Sequence, residues 1–316
     1  MTIDHSVVNS FPDIANAPEY PPLMSVLVVG SANMDLVFRT ARMPSPGETL
    51  LGGQFATHPG GKGANQAVAI GRLGGAVSFV GKVGSDAFGV ALRQSLTEAT
   101  VNVDFLQISE TPTGTAGIFV DDTGQNMIVV APGANAEVSA EEVRIALQTL
   151  RPSVTLTQLE IPLEAVLAAA QADRFILNPA PARQLPDDLL GRCFALTPNE
   201  FELQALTGID STEKAAKRLL DRGVQNVIVT LGEQGSYWMS ASGGLHFPAP
   251  LVSPIDTTGA GDAFNGALAM FLAEGRDLAN AIPLANCVGA LATTRPGAQE
   301  AMPTREELRA LAGSLY

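Results

Sequence analysis

One feature constrains this chain more than any other: short apolar runs alternate with helical patterns along most of its length. Runs at 26–29, 77–80, 154–159, 175–177, 193–196 and 227–230 take turns with helix-like periodicity at 62–73, 86–99, 140–150, 163–171 and 212–222. Runs that are apolar at consecutive positions, not at every second one, suit strands buried on both faces. Helices packed on each side are what bury them, so an α/β fold is expected: a three-layer, doubly wound, mostly parallel sheet. From residue 259 onward helical patterns prevail. A chain of 316 residues, 46% of them hydrophobic, can bury one large core and still carry a small appendage.

Two segments interrupt the alternation. Residues 36–56 and 114–131 read as paired short strands, with turn chemistry at Asp121, Asp122, Thr123 and Gly124. Inserted between α/β units, they predict a small β-sheet standing off the main body. It is placed to act as a lid over the strand C-terminal ends, where open α/β sheets bind ligands. Apolar positions such as Val37, Phe55, Ile118 and Ile128 would face water on a lone sheet. Pairing two lids across a two-fold axis would cover them, so a homodimer is expected.

Charge and composition narrow the partners. The net charge of −13 repels phosphate backbones and anionic lipid, which argues against nucleic acid and membranes. No apolar run is long enough to span a bilayer. The cysteines, Cys193 and Cys287, lie in apolar segments without a CxxC pattern, and only His5, His58 and His246 supply imidazole. A zinc site, a disulfide framework and histidine-dependent hydrolysis are therefore not expected, and a reducing cytoplasm fits. Residues 1–24 carry Pro12, Pro18, Pro21 and Pro22 but no sustained apolar core, and read as a flexible tail, with Met24 as an alternative start.

Three segments carry chemistry. In DTTGAGDAFNG, residues 256–266, glycines open an alanine-rich helix, whose unpaired amides and positive end make an anion site. Asp262 in its first turn has two readings: a helix cap, or a base beside an anion hole that takes the proton of an attacking hydroxyl. GGKGANQ at 60–66 opens a second helix with backbone able to approach a ligand. GSANMD at 30–35 follows the first strand and offers Asn33 and Asp35, either as an Asx-type turn or as donor and acceptor for a polyol. Glu160, just before Pro162, is a third candidate acceptor. The P-loop spacing fails at Ala56 and Gly63, and the dinucleotide fingerprint fails at Phe264.

These motifs together make the chain similar to the ribokinase-like family of sugar kinases. Beside GGKGANQAVAIGRLG (60–74) and DTTGAGDAFNGALA (256–269) stand NPAPAR (178–183), TPNEFE (197–202), TLGEQG (230–235) and TRPGAQ (294–299). The resemblance implies one kinase domain over 25–316 and transfer of the γ-phosphoryl group of ATP to a sugar's primary hydroxyl. By the same resemblance, Asn33, Asp35, Gly61, Lys62, Gly63, Asn65 and Glu160 would hold the sugar, with Asp262 as base. Gly259, Ala260 and Gly261 would form the anion hole. Asn199, Thr230, Gly232, Gly235 and Asn286 would line the ATP site, Gly261 touching its phosphates and Glu202 ordering water around Mg²⁺. Asp256, Thr258, Ala292, Arg295, Gly297 and Ala301 would surround a monovalent cation such as K⁺. D-ribose is the expected acceptor. Deoxyribose, fructose, a nucleoside or a non-catalytic sugar sensor are the alternatives.

Overall fold

The computed structural model describes residues 25–313. The expected N-terminal tail, residues 1–24, lies outside the described residues. In chain order the strands are β1 (Ser25–Val29), β2 (Asn33–Thr40), β3 (Gln54–Gly60), β4 (Ala76–Gly84), β5 (Leu106–Ser109), β6 (Gly114–Asp121), β7 (Asn126–Ala131), β8 (Val154–Thr157), β9 (Phe175–Leu177), β10 (Ala195–Leu196), β11 (Asn226–Thr230), β12 (Ser236–Ser240) and β13 (Gly243–Phe247). The helices are α1 (Lys62–Arg72), α2 (Ala87–Glu98), α3 (Ala140–Leu150), α4 (Leu163–Ala169), α5 (Asp187–Leu190), α6 (Glu200–Thr207), α7 (Thr212–Asp221), α8 (Ala260–Ala273), α9 (Leu278–Ala292) and α10 (Arg305–Ala312).

The main sheet has nine strands in the order β13-β12-β11-β10-β9-β8-β1-β4-β5. Pairing from β5 across to β11 is parallel, and β12 and β13 close one edge as an antiparallel hairpin. The alternation of apolar runs did not foretell that hairpin, because half-exposed β12 and exposed β13 lack a continuous apolar run. Strand β1 shows why the sheet is buried on both sides. Val26 and Val28 join a core shared with α1, α2, α8, α9 and α10. Leu27 and Val29 join the opposite core, under α3, α4, α6 and α7. That is the three-layer architecture expected from the sequence.

The small sheet is four-stranded, ordered β3-β2-β6-β7, with β2 and β6 parallel at its centre. The β6–β7 turn forms at Asp121–Gly124, where the Gly124 amide donates to the Asp121 carbonyl and Gly124 takes a φ of 82°. Strand β2 starts at Asn33, earlier than the expected lid boundary at 36. Asn33 already pairs with Gly60 and Gly114, so the chain passes from one sheet to the other within residues 30–32. Among the described residues no helix is long and apolar enough to cross a membrane.

Helix α8 is buried nearly all round, and its small residues allow close approach to α1. A Cβ on Gly266 would lie 2.6 Å from the Gln66 carbonyl oxygen. A Cβ on Gly63 would lie 2.7 Å from Gly30. Glycine at these places presses α1 against both α8 and the end of β1, which brings three sequence motifs to one point.

Candidate active site

Helix α8 begins at Gly259, in left-handed backbone with φ 75°, and no side chain caps it. Asp262 is therefore not the cap. It is 8% exposed, and its two carboxylate oxygens accept from Asn65 Nδ2 at 2.9 Å and Gln66 Nε2 at 3.0 Å. Burial raises the Asp262 pKa, while Lys62 and these two amides oppose the rise. Of the first-turn amides, Ala260 donates to the Thr257 carbonyl at 3.2 Å. The Gly261 position faces open space: a Cβ there would meet nothing within 4 Å.

Helix α1 begins immediately after Gly61, whose φ is 88° and whose missing Cβ would fall 2.6 Å from the Asn33 amide nitrogen. Gly61 and Gly63 let α1 abut residues 30–33, a contact that a methyl group would block, whereas Gly60 faces the Asp35 side chain. Lys62 follows as the first helical residue. Burial alone would depress its pKa, but Asp262, Glu160, Glu202 and Asp35 together hold it above the ordinary lysine value. Glu160 is fixed beside it by the Lys62 amide at 3.2 Å and by Ser31 Oγ at 2.5 Å.

Asn33 and Asp35 lie in β2, not in a turn at the end of β1, so the Asx-turn reading fails. Asn33 Oδ1 accepts from Asn135 Nδ2 at 2.7 Å, and Asn135 also brackets Ala32 by accepting from its amide and donating to its carbonyl. Gly60 stands opposite Asp35's side chain; a Cβ there would be 2.3 Å from Oδ2. Burial first, then the charges of Glu160 and Asp262, push the Asp35 carboxyl up to about 7. Four ionisable groups, Asp35, Lys62, Glu160 and Asp262, thus influence one another where β1, β2, α1 and α8 converge.

Two concavities adjoin this cluster. One of about 380 Å³ lies between the sheets, lined by Asn33, Asn135 and Glu160 with Val130, Leu159 and Pro181. The other, about 190 Å³, joins Asp262, Lys62, Gly259 and Gly261 to Asn199, Glu202 and Thr230. Asn199 caps α6, its side chain accepting from the Glu202 amide while Glu202 accepts from the Asn199 amide. Burial raises the Glu202 pKa. The structure does not bring Gly232, Gly235 and Asn286 into that lining. Gly235 abuts Phe247, and Asn286 Nδ2 donates to the Phe247 carbonyl at 3.0 Å.

Of the expected cation residues, Thr258 and Gly297 are tied to Asp256. Its carboxylate accepts from the Thr258 amide at 2.9 Å and the Gly297 amide at 3.0 Å. Burial acts against ionisation of Asp256, yet these hydrogen bonds keep its pKa below the ordinary value. Ala292 and Ala301 are fully buried nearby in sequence, whereas the Arg295 guanidinium turns to Glu307 at 3.0 Å. Among the described residues no group of three or more His, Cys, Asp or Glu is arranged to hold a metal.

Sequence reasoning did not single out Gln66, Asn135, Gln158, Asn178 or Gln299, although Gln66, Asn178 and Gln299 sit inside quoted motifs. Gln66 bridges Asp262 to Asn178 and accepts from Gln158 Nε2 at 2.5 Å. A neutral amide gives no charge or spacing signal, so its use emerges only from the packing of α1 on α8.

A buried aspartate at a helix N-terminus, beside a lysine and a polyol-sized polar cluster, is chemistry suited to phosphorylating an alcohol. The model of the pfkB family carbohydrate kinases matches residues 24–305, and the chain belongs to this family of ATP-dependent carbohydrate kinases. Ribokinase of Bacillus subtilis is 40% identical over 296 residues, which cover 92% of this chain and 99% of that one. Deoxyribokinase of Salmonella typhi is 37% identical, with 90% and 97% covered. The structure of Arabidopsis thaliana ribokinase complexed with ribose and ATP superposes with a TM-score of 0.83 at 31% identity, covering 92% of this chain and 99% of that one.

Proposed function

We propose that this protein transfers the γ-phosphoryl group of ATP to O5 of D-ribose, giving ribose 5-phosphate and ADP. The observation that carries the reading is Asp262, buried beside the open N-terminus of α8 and adjoining the Asn33, Asp35 and Glu160 cluster. The primary hydroxyl oxygen bonds to the γ-phosphorus, the bond to the β–γ bridging oxygen breaks, and ADP leaves. The hydroxyl proton passes to the Asp262 carboxylate. A loose transition state asks little of the base until late, so a carboxylate suffices. The α8 amides and the Lys62 ammonium offset charge on the transferring group.

Asn33, Asp35, Gly61, Lys62, Gly63, Asn65 and Glu160 belong to the sugar side in this reading. Asn199, Thr230, Gly232, Gly235 and Asn286 belong to the nucleotide side. Mg²⁺ suits a site with few protein carboxylates, since it keeps water and phosphate ligands, with Glu202 as an outer partner. A monovalent cation fits the oxygen-rich loops that Asp256 ties together, among Thr258, Ala292, Arg295, Gly297 and Ala301, and would add positive charge behind the anion hole. A homodimer joined through the four-stranded sheet and a cytoplasmic location, in keeping with the free thiols Cys193 and Cys287, complete the reading. Deoxyribose is the second reading, favoured by the Salmonella relative's name.

The test is ADP release in a coupled assay over a panel of pentoses, hexoses and nucleosides. Highest kcat/KM on ribose supports the proposal. Ribose falling well below another acceptor overturns the substrate while leaving the kinase intact.

A further inference from the structure

The hydrogen bonds around Asp262 have a consistent direction. On one side Ser95 Oγ, from α2, donates to Gln299 Oε1 at 2.7 Å. Gln299 Nε2 then donates to Asn65 Oδ1 at 3.1 Å, and Asn65 Nδ2 donates to Asp262 Oδ2 at 2.9 Å. On the other side Gln158 Nε2 donates to Gln66 Oε1 at 2.5 Å, and Gln66 Nε2 donates to Asp262 Oδ1 at 3.0 Å. Every amide in both files turns its N–H₂ toward the carboxylate. Asn65, Gln66, Gln158 and Gln299 are all buried, as is Asp262.

An amide can present either its oxygen or its nitrogen, and an oxygen facing Asp262 would repel it. For Gln299, Asn65 and Gln66 the partner on the far side, Ser95, Gln299 and Gln158 respectively, decides which face is shown. Gln299 Nε2 occupies Asn65 Oδ1 and so leaves Nδ2 for Asp262. The backbone of Gln299 is held in turn, since Arg72 Nη1 donates to the carbonyls of Gln299 and Glu300 at 3.1 and 3.2 Å. A carboxylate offers about four acceptor positions, and the two amides take two. The remaining lone pairs are left for an incoming hydroxyl.

We propose that Gln299, acting through Asn65, and Gln66, acting directly, are positioning residues that fix the orientation of the Asp262 carboxylate for proton acceptance. The inference rests on Asp262 being the base in the proposed reaction. It gives the glutamine of TRPGAQ a task separate from the cation loop around it. Removing Gln66, or releasing Asn65 by removing Gln299, leaves Asp262 buried with less support for its charge, and burial already favours the protonated form. The charged and titratable groups that act on Asp262 are Lys62 of α1, Glu160 after β8, Asp35 of β2 and Glu202 of α6; Gln299→Leu changes none of them.

The experiment compares wild type with Gln299→Leu, Gln66→Met and Ser95→Ala by the pH profile of kcat/KM for ribose. Thermal melting and ADP affinity are measured on each variant. In Gln299→Leu, kcat should fall roughly 10- to 100-fold, and the acidic limb of the profile should move up by about half to one pH unit. Gln66→Met should shift the limb in the same direction. Ser95→Ala, remote from the carboxylate, should give a smaller shift with melting and ADP binding close to wild type. A variant that folds and binds ADP normally but keeps the wild-type limb overturns the inference for that residue. Loss of activity with an unmoved limb assigns a structural role instead, and also overturns it. Wild-type turnover of ribose is the separate control: if that is absent, it is the proposed reaction that fails.

Discussion

Asp262 and Asp35 are both carboxyls pushed upward by burial, but they are expected to respond differently to substitution. Asp262→Asn keeps the shape and removes the proton acceptor. Turnover should fall about 10²- to 10⁴-fold while ADP affinity, read by calorimetry, stays near wild type. For Asp35 the useful readout is stability. Its carboxyl titrates near 7 in the fold against an ordinary 3.8, so between those values the folded state binds more protons than the unfolded one. Its favourable contribution is complete below the ordinary value and is lost as pH rises through about 7. Asp35→Asn should therefore melt higher than wild type at pH 8, by roughly 3–6 °C, with the gain shrinking toward pH 5. The same variant should lose sugar affinity, the expected trade between stability and a functional charge. The sequence alone exposed both aspartates as candidates. It could not choose between cap and base for Asp262, because the choice depends on Gly259 being the cap and on two amides from another helix.

At the scale of elements, the junctions of α1 and α8 are where glycine matters, and the glycines there are not equivalent. Gly261→Ala adds a methyl to open space at a normal φ, so the fold should be unaffected. The methyl would enter the space that the phosphates need, and turnover should drop at least about 10-fold with unchanged melting. Gly61→Ala is the opposite case. A φ of 88° and a backbone nitrogen 2.6 Å from the new carbon should cost roughly 1–3 kcal/mol of stability, measurable by chemical denaturation. The two segments look alike in sequence, since both are glycine-rich stretches that open a helix. Whether a missing side chain makes room for a ligand or for a neighbouring strand is a question of which backbone lies opposite, and local sequence does not contain that answer.

For the whole molecule, the four-stranded sheet leaves a row of apolar side chains uncovered. Strand β7 is exposed along its length; Met127 and Val129, the latter 73% accessible, share one face, and the Met127 row continues across the sheet through Phe119, Phe38 and Phe55. A sheet face of this kind stays in water only at a cost, and a second copy would cover it. Sedimentation velocity at micromolar concentration should give a dimer, and Val129→Lys should shift it to monomer. A wild-type monomer under those conditions would remove the sheet as an interface.

What the amino-acid sequence determined by itself was the periodic part of the protein. Doubly buried strands, amphipathic helices and the two glycine-rich openings are written in neighbouring residues, because burial on one or two faces sets a local rhythm. The four-stranded sheet was also legible, to within a few residues. The tertiary structure decided everything that depends on residues distant in the chain. It brought Asn65 and Gln66 onto Asp262 and Gln299 onto Asn65, moved Asn33 and Asp35 into a strand of the second sheet, and set Gly61 and Gly63 against the backbone of residues 30–33. Hydrogen bonds between neutral amides leave no pattern along a chain, and a carboxyl's pKa is set by what surrounds it in space.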